Sequence, residues 1–256
     1  MLRSRGFGAT SITPDVASGS GNISGSSSAT KSSVLWGATG ATTFAGRLVF
    51  ATAVWVGVST TISSVTDTDG NAWTVVQAGT NNGSAVGCGI AWCIPLVNIP
   101  RNSAAYTITF NLSAAVTTFN WQRTEYAING PVEVTVTAHG TATGNSTSVA
   151  ITSANTPNVA GSRTGGIFVA GWDNSARAGT IGGSFTERYD GATGTGRFYG
   201  GERRDLAPNT AVAPAATIAT SAQLWAACSA TFCHTRQVNR TRSRANRPAI
   251  SAASRY

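Results

Sequence analysis

The chain reads as an all-β protein, an antiparallel sandwich or barrel held between an N-terminal arm and a basic C-terminal tail. Three observations lead there. About a dozen short apolar segments alternate with turn residues, and none keeps helical spacing. Residues 8–33, "GATSITPDVASGSGNISGSSSATKSS", are rich in Gly and Ser with no apolar period, as in a linker. No acidic residue follows Asp205, whereas Arg236, Arg240, Arg242, Arg244, Arg247 and Arg255 crowd the C-terminus.

The strands are expected in this order. "GRLVFATAVWVGV" places Leu48, Phe50, Val54, Val56 and Val58 mostly in one phase, the period of a pleated strand. "TISSVT" and "AWTVVQA" flank the turn in "SVTDTDGNAWTVV", and "AVGCGIAWCIPLV" runs until Pro95. "AYTITFNL" alternates Tyr106, Ile108 and Phe110 against threonines. "TTFNWQRTEYAI", "VEVTVTAH", "STSVAIT", "GIFVAGW", "SFTERYD", "GRFYGGERR" and "AQLWAACSATFCHT" complete the series. Helix is confined to a turn or two, and no repeat shows at a propeller or solenoid period. The expected organisation is an arm over 1–33, a sandwich over 34–235 and a tail over 236–256.

Composition narrows the function classes. Only 11% of the 256 residues are charged, few for a surface that meets only water, so subunit contacts are expected. The net charge of +8 lies at the ends: Arg3, Arg5 and the six tail arginines account for it, around a neutral body. The N-terminus has no apolar core of a secretory signal, and the longest apolar run, 48–58, is too short to span a bilayer. Folding in a cytoplasm is the expectation, with no membrane partner.

Candidate chemistry is sparse. Asp67, Asp69, Gly70 and Asn71 resemble the start of a calcium loop, but no acid follows before Glu125, so a tight hairpin is the better reading. Cys88 and Cys93, like Cys228 and Cys233, are separated by an odd number, which puts them on opposite faces of a strand. Buried thiols, a disulfide joining the two strands, or a metal site remain open, in that order. His139 and His234 have no nucleophile placed near them in sequence. Glu125, Glu133, Asp173, Glu187, Asp190, Glu202 and Asp205 offer no recognisable glycosidase pair. "GATGTGRFYGG" enters a strand and not a helix, so it is no phosphate loop. Trp172, Asp173, Arg188, Tyr189, Arg197, Tyr199 and Arg203 mix aromatic faces with charge, as in glycan recognition or a subunit contact. No cofactor or catalytic set is expected.

Several strand-and-turn motifs carry a resemblance. They are Thr66, Asp67, Gly70, Asn71 and Trp73; Ile90, Trp92 and Ile94; 106–110; 185–188; and 225–232. Glu125, Tyr126, Ala127 and Ile128 stand where E-Y-S-G would be, with Ala and Ile replacing Ser and Gly. Over 48–234 the chain resembles the jelly-roll domains of bacteriophage virion proteins, including capsid decoration proteins and head or tail fibres. The resemblance implies an antiparallel jelly-roll sandwich and a non-enzymatic structural role in the virion. The expected partners are other virion proteins, the major capsid protein first, and further copies of the chain, a trimer favoured. A host glycan on a fibre-type module is the alternative, and nucleic acid held by an internal Arg tail is a second. The terminal arginines, Arg3, Arg5, Arg236, Arg240, Arg242, Arg244, Arg247 and Arg255, are the expected anchors to the capsid.

Overall fold

A computed structural model of the chain describes residues 12–14, 19–24, 30–32, 48–57, 59–78, 86–95, 107–116, 118–128, 132–151, 163–174, 176–193, 196–207, 210, 212–219 and 221–236. Those residues form antiparallel strands and turns, with no helix among them. The first run of strands is β1 Ile12–Pro14, β2 Gly19–Ser24, β3 Thr30–Ser32, β4 Leu48–Val56, β5 Ile62–Asp67, β6 Thr74–Ala78, β7 Val86–Cys93, β8 Ile108–Leu112 and β9 Thr118–Ile128. The second is β10 Val132–Ser146, β11 Ser148–Ala150, β12 Arg163–Trp172, β13 Gly179–Gly182, β14 Thr186–Thr193, β15 Gly196–Leu206, β16 Ala215–Ile218 and β17 Gln223–Arg236.

The strands stack in four layers. An outer sheet β3-β8-β5 covers an inner sheet β9-β4-β7-β6, to which β1 and β2 add beyond β9. A second inner sheet, β10-β17-β12-β15-β14, is covered by the outer sheet β11-β16-β13. Three cores separate the layers. Val49, Ala51, Ala53 and Trp55 face Ile62, Phe110 and Leu112 in the first. Leu48, Phe50, Val54, Val86 and Ile90 meet Ile167, Val169, Phe198 and Phe232 in the middle one. Phe168, Ala170, Trp172, Tyr199 and Trp225 meet Val149, Ala216 and Ile218 in the third. An inner strand buries both faces and therefore tolerates few polar residues in either phase. That is why "LVFATAVWV" is buried in both of its phases and not in one. Outer strands keep one face in water: β5 buries Ile62 and Val65 and exposes Ser63, Ser64 and Thr66.

The two halves repeat one another strand for strand. In the first, β2 pairs with β9, β3 with β8 and β4 with β7; in the second, β10 pairs with β17, β11 with β16 and β12 with β15. Each half is thus a long hairpin whose pairs nest inside one another. Register repeats as well. Trp55 lies between Gly87 and Phe119, and Trp172 between Arg197 and Trp225. Each indole Nε1 donates to the carbonyl five residues on, Thr60 at 3.0 Å and Arg177 at 2.8 Å. Ser113 N donates to Thr61 O and Ala219 N to Ala178 O, both at 2.8 Å.

The contacts between the inner sheets are symmetric too. β7 meets β17 and β12, β6 meets β17 and β10, and β4 meets β12; exchanging the halves gives β15 with β9 and β4, and β14 with β9 and β2. All of these contacts occur, so the halves are related by an approximate two-fold, as in an isologous dimer joined into one chain.

Three expectations change. The Gly/Ser-rich segment read as an arm supplies β1–β3, because edge strands are held by backbone hydrogen bonds that need no apolar side chain. The single sandwich expected over 34–235 is two sandwiches back to back, with β2 and β3 completing the first and β17 reaching Arg236. The "DTDGN" turn joins no hairpin: β5 pairs with β8 in the outer sheet and β6 with β7 in the inner sheet, so the turn is a corner between layers. Short β13 and β16 each carry a single large apolar residue, Ile181 and Ile218, too few to show an alternating pattern.

The close approach of the inner sheets is testable. A Cβ on Gly171 would sit 2.1 Å from Val54 Cγ1, in a middle core with no room for it. Gly171→Val is expected to destabilise the protein by about 1–3 kcal/mol through overpacking. Val54→Ala in the same chain should restore part of the loss, read from urea midpoints.

Candidate functional site

The Asp67 corner is built by one carboxylate. Oδ1 accepts from the backbone N–H of Asp69 and of Asn71, each at 3.0 Å. Oδ2 accepts from Asn71 Nδ2 at 2.9 Å and from the Trp73 indole at 2.8 Å. Gly70, at φ 70°, turns the chain where a side chain would strain it. Both oxygens are committed to N–H donors, and no cluster of three metal-binding side chains occurs among the described residues. Trp73 is thereby laid on the first core, so the motif is a structural clamp. Close by, Gln77 copies a backbone ladder: its Nε2 donates to Ile62 O at 3.0 Å and its Oε1 accepts from Ile62 N at 2.5 Å. This side chain ties inner strand β6 to outer strand β5.

The aromatic and charged residues of 172–205 divide into a buried group and a surface ladder. Trp172 and Tyr199 are fully buried and stack on each other, with ring centroids 4.9 Å apart. The Tyr199 hydroxyl donates to Gly179 O at 2.7 Å and accepts from Gly179 N at 2.8 Å. Both rings therefore belong to the third core, and the expectation that they offer a face to a glycan is corrected: their faces are covered by protein. Tyr189 is half-buried against Phe198, centroids 4.6 Å apart, on the middle core. Burial also raises the ionisation of both tyrosines above the usual phenol range.

The surface ladder runs along β14 and β15. Arg197 Nε donates to Asp190 Oδ1 at 2.7 Å, and its guanidinium lies over the Tyr199 ring at 5.6 Å. Arg188 donates to Glu202, which also accepts from Arg204 Nε at 2.9 Å. Glu202 is buried, while each arginine is about one-third exposed. Arg203 is half-buried opposite Gly166. Asp173, half-buried where β12 ends, has its carboxyl pushed above the ordinary range by burial, only partly opposed by backbone N–H donors.

Because β14 ends its sheet, this ladder places alternating charge along an open edge, which discourages another strand from adding there. The structure pairs Arg188 with Glu202 and Arg197 with Asp190 between β14 and β15, and it buries Trp172 and Tyr199 in the third core. Glu202, one of seven unresolved acids in the sequence, gains its importance from burial, which its spacing could not reveal.

Cys88 faces the middle core and Cys93 the first, on opposite sides of β7 as the odd spacing requires. Burial, with Asp67 nearby, pushes the Cys93 thiol far up, so it stays protonated. Arg236 ends β17 opposite Val132. The other expected anchors, Arg3, Arg5, Arg240, Arg242, Arg244, Arg247 and Arg255, lie outside the described residues, as do the side chains of His139 and His234.

Two outcomes are expected. Asp67→Ala should cost about 1–3 kcal/mol by leaving indole and amide donors unmatched, and millimolar calcium should leave the wild-type Tm unchanged. Arg188→Ala combined with Arg204→Ala strips the buried Glu202 of both cations and should cost about 3–5 kcal/mol. Either single change should cost less than half of that in urea denaturation.

No family model matches the sequence, and neither the curated proteins nor the solved structures compared with it give a match.

Proposed function

We propose that the protein is a non-enzymatic structural component of the bacteriophage virion, two jelly rolls in one chain, decorating or cementing the capsid. The observation that carries the reading is the segregation of charge. A body whose ten basic residues balance ten acidic ones is flanked by ends holding the whole excess of +8. A neutral surface of Thr, Ser, Ala and Gly suits packing against other subunits, where isolated charges would have to be desolvated. Arginine-rich ends suit acidic surfaces of a neighbouring capsid subunit, which guanidinium groups grip in bidentate fashion.

The nested pairing of each half supports the jelly-roll assignment. Folding a long hairpin over itself yields this order of partners and two facing sheets. The anchors are Arg3, Arg5, Arg236, Arg240, Arg242, Arg244, Arg247 and Arg255. Further copies of the chain and the major capsid protein are the partners, and the virion is the location.

The test compares the full chain with one ended after Arg236, so that β17 stays whole. Both should unfold at the same urea concentration, but only the full chain should co-sediment with purified capsids. Equal co-sedimentation would sink the anchoring role. Tight binding of the tail to DNA, weakening steeply with salt, would instead place it against packaged nucleic acid. Mass spectrometry of purified particles tests membership directly.

A further inference from the structure

Cys88 of β7 and Cys228 of β17 meet across the interface between the halves. Their sulfurs are 3.1 Å apart, and the Cys228 thiol donates to Cys88 O at 3.3 Å. Both residues are fully buried in the middle core. A disulfide needs about 2.05 Å between sulfurs, so closing the bond asks for a shift of about 1 Å. The flanking residues on that face of β17 are Ala226 and Ala230, whose small side chains let the two strands approach. The approximate two-fold does not repeat the pair: the equivalent positions are Phe198 and Gln122, so one staple is available and not two.

We propose that Cys88 and Cys228 are a redox site, joined by a disulfide that fastens the two halves when the protein meets a peroxide. Hydrogen peroxide is small enough to enter as the interface breathes. One cysteine sulfur attacks a peroxide oxygen; the O–O bond breaks, the thiol proton leaves with the departing oxygen as water, and a sulfenic acid remains. The second sulfur then attacks the first, and the sulfenic oxygen departs as water with the second thiol's proton. Two thiols lose two electrons and two hydrogens, and one peroxide becomes two waters. Burial makes the step slow and equally shields the bond from reductants.

The bond would connect residues 140 apart and so restrict the unfolded chain strongly. The inference is independent of the proposed place in the virion.

The experiment treats reduced full-length protein with hydrogen peroxide, quenches it, then unfolds it in an alkylating reagent. Intact mass should show two alkyl groups where the reduced protein takes four, one per cysteine. A protease map should link the peptide of Cys88 to that of Cys228, and the urea midpoint should rise until dithiothreitol is added. Cys93→Ala with Cys233→Ala should keep the link, whereas Cys88→Ala and Cys228→Ala should each lose it while circular dichroism stays that of a β protein. Four alkyl groups after oxidation, or a link through Cys93 or Cys233, overturns the proposal.

Discussion

Burial of the two inner sheets against each other is the constraint on which the molecule rests. A sheet covered on both faces favours apolar or small residues in both phases of its strands; β4 supplies them from Leu48 to Trp55, whereas β9 buries the polar Asn120, Gln122 and Arg123. Each Leu, Val or Phe buried there contributes about 1.5–3 kcal/mol relative to leaving it in water. The sheets approach closely enough that β12 must present a bare backbone at Gly171 to Val54. Between β4 and β9 the buried Thr52 hydroxyl donates to Gln122 O at 3.3 Å. The outer sheets follow from this arrangement, since each covers the inner face that the partner half leaves open.

Repetition of the halves shows which features the fold demands. The indole-to-carbonyl latch recurs at Trp55 and Trp172, and a left-handed residue turns each corner between layers, Gly70 in one half and Gly183 with Ser184 in the other. What fills the cores has drifted: Phe110 and Trp121 occupy places held by Ala216 and Ala227 in the second half. The edges have drifted too. β14 carries Glu187, Arg188 and Asp190, while its counterpart β6 is uncharged and is bound by Gln77 to the strand beneath it.

This drift explains what could be read from the sequence. Inner strands announced themselves through Val, Phe, Trp and Ile, and every one from β4 to β9 and from β12 to β17 in the inner sheets was expected. The repeat escaped because its conserved element is register, and register leaves little trace when Cys88 answers to Phe198 and Gln122 to Cys228. β1, β2, β3, β13 and β16 are short and hold at most one large apolar residue each, Ile12, Ile23, Ile181 or Ile218, too few to show a period of two. Among site residues, side-chain type suggested recognition for Trp172 and Tyr199, but burial depends on which layer lies above them, and the outer sheet β11-β16-β13 was not foreseen.

The nested order of pairing also sets a timetable during synthesis. β2 finds its partner only when β9 has been made, so the first sandwich has all its strands once Ile128 has emerged. Its outer face is then covered, while Leu48, Phe50, Val54 and Ile90 on the other face await the second half. At ordinary elongation rates that half takes on the order of ten seconds to appear. Throughout that interval a nascent chain on one ribosome exposes the surface that fits its own second half, and neighbouring nascent chains on a shared message expose the same one. An approximate two-fold within the finished chain therefore carries a hazard of swapped pairing between chains, and the short connection from Ile128 to Val132 favours the partner that arrives on the same chain.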